Sequence, residues 1–200
     1  MHAKILGLTG GIATGKSTFL GLLARGLGAR TFCADACVRR LLESGTLAGT
    51  LREHFGPRAC LPDGRADRAF LRGEVFSDPA KRAALENILH PAVRAEWIAI
   101  ARECRESGGW FIADIPLLFE TGAEPAFDAV VCVACSPSVR DARLRARPGI
   151  SAALAEKMIA SQMPADTKIA NSDHVVWNDG PIDALDDQAR TLCRLLKPTP

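Results

Sequence analysis

"LTGGIATGKST", residues Leu8 to Thr18, decides how the rest of this sequence is read. It holds G-x-x-x-x-G-K-[ST] as Gly10, Gly15, Lys16 and Ser17, with Gly11, Ile12, Ala13 and Thr14 between the glycines and Thr18 after them. An apolar, strand-like run over residues 4–9, ending at Thr9, precedes the motif, and a helical pattern over residues 16–27 follows it. Strand, glycine-rich loop and helix in that order form the setting in which this pattern binds phosphate rather than merely turning the chain. Gly10 and Gly15 let the backbone turn tightly and approach an anion. The loop N–H groups and the positive helix end cradle phosphates, Lys16 reaches the β and γ oxygens, and the Ser17 hydroxyl can ligate Mg²⁺. Nucleotide binding follows.

Outward from this loop, short β-rich runs alternate with longer helical ones. Strands are expected at residues 4–9, 29–33, 110–114, 128–134 and 174–177, nearly continuous apolar stretches of the kind a parallel sheet covers on both faces. Helices are expected at 16–27, 36–42, 78–89, 92–106, 137–147, 152–161 and 182–196. Ser77 to Pro79 gives a start signal, Pro91 a stop, and Ser136 an N-cap before Pro137. This alternation, with the glycine-rich loop at its start, argues for an α/β fold, a P-loop NTPase-type doubly wound parallel five-stranded sheet, and the almost wholly helical pattern of about residues 36–105 breaks it and reads as an insertion where an acceptor could bind. The expected division is a single P-loop domain: a core of about 1–35, 108–138 and 170–200, a helical insertion of about 36–107, and a segment of about 139–169 placed to close over the loop as a lid.

Composition excludes several classes of function. With 200 residues and 48% hydrophobic content the chain can bury an ordinary core. A formal charge of +2 is too mild to make nucleic acid or a lipid surface the main partner. The first residues show no signal-peptide pattern, and the longest apolar runs, such as "AVVCVAC", are too short to span a bilayer. Seven cysteines, an odd count without a framework, read as free thiols in a reducing compartment, so a cytoplasmic protein is expected.

P-loops serve GTPase switches, motor ATPases and small-molecule kinases. The chain has no N-K-x-D and no suitably placed D-x-x-G, which disfavours a switch. A kinase needs a group to align the acceptor hydroxyl, cations over the transferring phosphoryl group, and an acceptor pocket. Asp35, in "FCADACV", lies just past the second expected strand, where it can take a hydroxyl proton or simply cap the next helix. In "SVRDARLRARPG", Arg140, Arg143 and Arg147 are spaced to share a helix face and Arg145 adds charge, which suits a basic lid over phosphate or a solvated surface. In "WFIADIPLLFETG", Asp114 ends an apolar strand and can hold Mg²⁺ or its water. Leu117, Leu118 and Phe119 offer either an apolar wall or plain core, and Glu120 follows them. A metal or redox site on Cys33, Cys37, Cys132 and Cys135 is the reading from another class. However, "CVAC" sits mostly within an apolar strand, and His2, His54, His90 and His174 form no metal-ligand spacing with any cysteine pair.

Assembled, these residues resemble the dephospho-coenzyme A kinase family. The likeness rests on "LTGGIATGKST", "AD" at 34 and 35, "LHP" at 89 to 91, "DIPLLFE" at 114 to 120, Arg143 and Arg147 as R-x-x-x-R, "IASQMP" at 159 to 164, Lys168, and D-x-V-V-x-N-x-G from Asp173 to Gly180. It implies that the P-loop, Gly10 to Thr18, binds ATP with Mg²⁺, that Asp35 is the base for the ribose 3′-hydroxyl of dephospho-coenzyme A, and that the arginine helix belongs to a lid. It also implies that the helical insertion holds the coenzyme A portion, with Thr9, His90 and the 117 to 120 segment near the acceptor and Asn178 to Gly180 near adenine. Two positions depart from the family pattern: Cys33 stands where Asp-Ala-Asp is common, and Trp177 where an aspartate is usual. Other P-loop nucleotide or small-molecule kinases share the loop, the arginines and a carboxylate, but not the whole motif order.

Overall fold

A computed structural model describes residues 5–197; Lys4, expected to open the first strand, and His2 lie outside the described residues. The chain divides into two compact units, one formed by Cys33–Ala99 and the other by the residues on either side of it. The flanking unit is an α/β layer structure. Its strands β1 (Ile5–Thr9), β2 (Arg30–Cys33), β3 (Phe111–Asp114), β4 (Ala129–Ala134) and β5 (His174–Trp177) form one five-stranded sheet in the order β2-β3-β1-β4-β5. β1 pairs in parallel with both β3 and β4, and β4 in parallel with β5. The three central strands are buried along their whole length and carry the near-continuous apolar runs; the edge strands β2 and β5 alternate with exposed positions.

Helices α1 (Lys16–Leu27) and α9 (Ile182–Leu196) join Leu6, Leu8, Ile112, Val131 and Val133 of the sheet in one core through Phe19, Leu23, Leu185, Ala189 and Leu192. Gly26 allows the two helices to meet closely, since a Cβ there would lie 2.5 Å from Cys193 Sγ. On the chain between β4 and β5 lie α6 (Pro137–Arg145), α7 (Ala152–Ala160) and the short α8 (Ala165–Ala170). Ser136 caps α6 as expected, accepting from the Val139 N–H at 3.4 Å.

In the other unit, α2 (Ala34–Glu43), α3 (Ala48–Phe55), α4 (Arg68–Ser77) and most of α5 (Pro79–Ser107) surround a small core of Leu51, Phe55, Ala59, Cys60, Ala66 and Leu71. Asp67 caps α4 by accepting the Phe70 N–H at 2.9 Å. The stop expected at Pro91 does not occur, and two expected helices are one. Proline removes a single N–H, whereas Leu89, Val93, Trp97 and Ala101 recur every four residues on one buried stripe, and that burial outweighs the lost bond. Helices α3, α4 and α8 have no counterpart among the expected ones. All seven cysteines are free thiols, six of them buried and Cys33 partly so.

Candidate active site

The phosphate loop begins at the carboxyl end of β1, the central strand. Gly10 has φ 143, and a Cβ on it would lie 2.2 Å from the Val133 carbonyl oxygen, so only glycine fits against β4. Ala13 adopts φ 61, a left-handed conformation costing an L-residue about 1–2 kcal/mol, which surrounding contacts must offset. They are visible. Thr14 turns back on Gly11, its hydroxyl donating to the Gly11 carbonyl at 2.9 Å. The Thr14 carbonyl accepts from Asn178 Nδ2 at 2.8 Å and from Arg143 Nη1 at 3.5 Å, and the Ile12 N–H donates to Gln162 Oε1 at 3.0 Å. Gly15 is the N-cap of α1 at φ 92 and makes no side-chain cap, leaving the first-turn N–H groups aimed where an anion can meet the positive helix end. Lys16, half-buried, and Ser17 and Thr18, both exposed, occupy that first turn.

Asp114 is 4% exposed at the end of β3, in register with Leu8 of β1, one residue before Thr9. A buried carboxylate at the loop end of the sheet and a hydroxyl in the first turn of α1 are each hard-oxygen donors of the kind Mg²⁺ takes, one or two from protein with phosphate and water completing its shell. Among the described residues no group of three or more His, Cys, Asp or Glu could hold a metal by itself.

The arginines separate. Helix α6 ends at Arg145, so Arg147 lies beyond it and does not share a helix face with Arg140 and Arg143 as the spacing suggested. Arg147 precedes Pro148, whose ring disfavours helical backbone in the residue before it. Arg143 reaches the loop, Arg140 lies near Asp141 at 3.7 Å, and Arg145 and Arg147 are exposed. Asn178 is buried, and Gly180 lies exposed two residues on. Between them, Asp179 accepts the Ser136 N–H at 2.7 Å and the Trp177 indole N–H at 2.9 Å; the Ser136 bond leads in holding its carboxyl below the usual range. Asp179 thus ties the end of β5 to the start of α6, and Trp177, the departure from the family pattern, donates to that carboxylate.

Among the residues expected near the acceptor, Thr9 is buried and donates its hydroxyl to the Pro116 carbonyl at 3.2 Å. Leu118 is wholly buried, with its Cδ1 2.6 Å from where a Gly7 Cβ would stand, so its packing is core; Leu117 and Phe119 are half-buried. Glu120 pairs with Lys168 at 2.8 Å and accepts the Met163 N–H at 3.0 Å. Lys168 is completely buried and also donates to the Pro116 carbonyl at 2.6 Å. Sequence reasoning assigned no role to Lys168 or Gln162; the "IASQMP" and Lys168 matches were the only signal.

In the other unit, α2 begins at Ala34 with Cys33 as its N-cap residue, so Asp35 is not a cap. It sits exposed in the first turn. Cys37, one turn on, is pushed up to about 11 by burial and then by the neighbouring Glu96, and is no reactive thiolate. Burial likewise raises Cys132 and Cys135. His90 lies half-buried within α5, just before Pro91.

The dephospho-CoA kinase family model matches residues 4–184. A dephospho-CoA kinase from Anaeromyxobacter dehalogenans is 44% identical over 191 residues, covering 94% of this chain and 90% of the relative. A solved structure from Thermus thermophilus superposes with a TM-score of 0.79 at 32% identity, covering 99% of this chain and 100% of that one. The dephospho-CoA kinase from Campylobacter jejuni gives a TM-score of 0.73 at 25% identity over 96% of each chain.

Proposed function

This chain belongs to the dephospho-CoA kinase family and transfers a phosphoryl group from ATP to the ribose 3′-hydroxyl of dephospho-coenzyme A, giving coenzyme A and ADP; from that premise we propose how its residues divide the work. The loop from Gly10 to Thr18 binds the ATP phosphates through its N–H groups and the N-terminus of α1. Lys16 and Arg143 hold the β and γ oxygens and stabilise the charge that spreads over the transferring group. Arg147 adds to the positive field, and Asn178 and Gly180 border the adenine. Ser17 and Asp114 are the residues that would hold Mg²⁺, which would neutralise phosphate charge.

Asp35 accepts the proton of the 3′-hydroxyl as its oxygen attacks the γ-phosphorus, and the bond to the ADP oxygen breaks in line with that attack. The helical stretch of about residues 36–107, His90 included, takes up the coenzyme A portion, while Thr9, Leu117, Phe119 and Glu120 border the acceptor side of the loop and Leu118 packs in the core behind them. The lid of about residues 139–169 excludes water, so that the γ-phosphoryl group meets the acceptor rather than hydrolysing. No helix among the described residues is long and apolar enough to cross a membrane, and the free thiols suit the cytoplasm.

The observation that carries this reading is the convergence of Asn178 and Arg143 on the Thr14 carbonyl. It brings a cationic side chain from α6 to a loop already shaped for phosphate. An ADP-release assay across dephospho-coenzyme A, adenosine, nucleoside monophosphates and sugars tests it. Turnover is expected with dephospho-coenzyme A; turnover only with another acceptor would sink the assignment.

A further inference from the structure

Gln162 meets the backbone of the phosphate loop, and none of the roles above accounts for it. Its side chain accepts the Ile12 N–H at 3.0 Å across 150 residues of chain. A backbone N–H only donates, so the atom it meets is the carboxamide oxygen. The residue after Gln162 is anchored too. The Met163 N–H donates to Glu120, whose carboxylate pairs with the completely buried Lys168 ammonium, itself bonded to the Pro116 carbonyl. Gln162 therefore projects from a fixed base.

Next to Ile12 stands the left-handed Ala13. The side chains of both pack with Leu144, Ile150, Ala155 and Ile159 from the α6–α7 region. Apolar contact of this kind is non-directional and does not choose the orientation of a peptide plane; a hydrogen bond to its N–H does.

We propose that Gln162 is a positioning residue for the nucleotide: it fixes the peptide between Gly11 and Ile12, so that the loop N–H groups already have their phosphate-binding orientation before ATP arrives. Preorganisation of this kind lowers the ordering cost of binding, so the effect falls on ATP rather than on the chemical step. The inference rests on the loop being the ATP site.

Steady-state kinetics of the full chain test it. Gln162→Leu removes the acceptor at nearly constant volume. It is expected to raise KM for ATP about five- to tenfold, with kcat and KM for dephospho-coenzyme A changed less than about twofold. Gln162→Glu keeps an acceptor but adds negative charge at the loop, so its KM for ATP rises at low salt and recovers as salt is added. An unchanged KM for ATP in Gln162→Leu, or a loss shared equally by both substrates together with a lower melting temperature, overturns the proposal. Should Gln162→Leu not fold, an unchanged low-salt KM for ATP in Gln162→Glu overturns it instead. Lys16→Ala, measured in parallel, separates the two readings. If ATP binding survives that change, the assignment of the loop fails and the Gln162 proposal with it; if ATP binding is lost while Gln162→Leu is silent, the Gln162 proposal alone fails.

Discussion

The 10–17 loop and the 33–37 turn each follow a strand of the same sheet and each open a helix, yet they are held in different ways. In the loop, Gln162, Arg143 and Asn178 grip the backbone from 150, 129 and 164 residues away, and the non-glycine residue Ala13 is kept in left-handed backbone. In the turn, Cys33 starts α2 without a side-chain cap and Asp35 stands exposed in the first helical turn. The contrast fits the chemistry proposed for each. A triphosphate is held by many weak dipoles that must all be aligned beforehand, because reorienting them during binding would cancel the gain. A proton acceptor needs only to be near the hydroxyl, ionised and able to adjust.

The contrast breaks first at Lys16. Lys16→Ala is expected to lower kcat/KM by a factor on the order of 10³ without unfolding the chain, as loss of one preorganised charge does; a loss under tenfold in ADP-release assays would mean that the rigid loop is not the phosphate site. At the adjustable end, Asp35→Asn is expected to lower kcat by a factor on the order of 10² with KM for ATP retained. Near-normal turnover there would reduce Asp35 to a favourable charge at the start of a helix.

Backbone rigidity itself is tested by Gly10→Ala, whose Cβ must push against the Val133 carbonyl 2.2 Å away. Urea titration is expected to show about 2–3 kcal/mol of lost stability. Gly49→Ala in α3, where nothing lies within 4 Å of the new Cβ, should instead gain about 0.5–1 kcal/mol. Equal effects at the two glycines would remove the distinction between a tight loop and an open helix.

The smallest effect belongs to the turn. Cys37 is pushed up to about 11 in the folded chain from an ordinary thiol's 9.0. Above pH 9 the unfolded chain loses a proton that the native one keeps, so this contribution to stability is complete below pH 9 and is lost as pH rises toward 11. Stability measured against pH should fall less steeply over that window in Cys37→Ala; an unchanged slope would show that the burial of Cys37 does not govern its ionisation.

Much of this arrangement was legible in the sequence, and the reasons are local. Strand, glycine loop and helix are written contiguously from Ile5 to Leu27, and unbroken apolar runs mark the parallel strands wherever they lie. Pro91 misled, because a local breaker signal says nothing of the buried stripe from Leu89 to Ala101 that carries the helix through it. Arg147 misled because the spacing was extended past the end that Pro148 enforces. The α3 and α4 helices are short amphipathic segments whose shared core exists only after they assemble. Gln162 and Lys168 were visible as matched letters but not as roles, since their partners are Ile12 and Glu120, and periodicity carries no record of a contact 150 residues away. Trp177, noticed as a departure, proved to be a donor to Asp179 two residues along.

The order in which the loop's partners are synthesised has its own consequence. The glycine-rich segment leaves the ribosome early, but Gln162 and Asn178 follow 150 and 164 residues after the groups they hold, and β1 must also wait for β3 and β4. A nascent chain therefore carries the spelling of the loop for most of its synthesis without its shape. The shaping of the loop thus becomes a property of the finished chain.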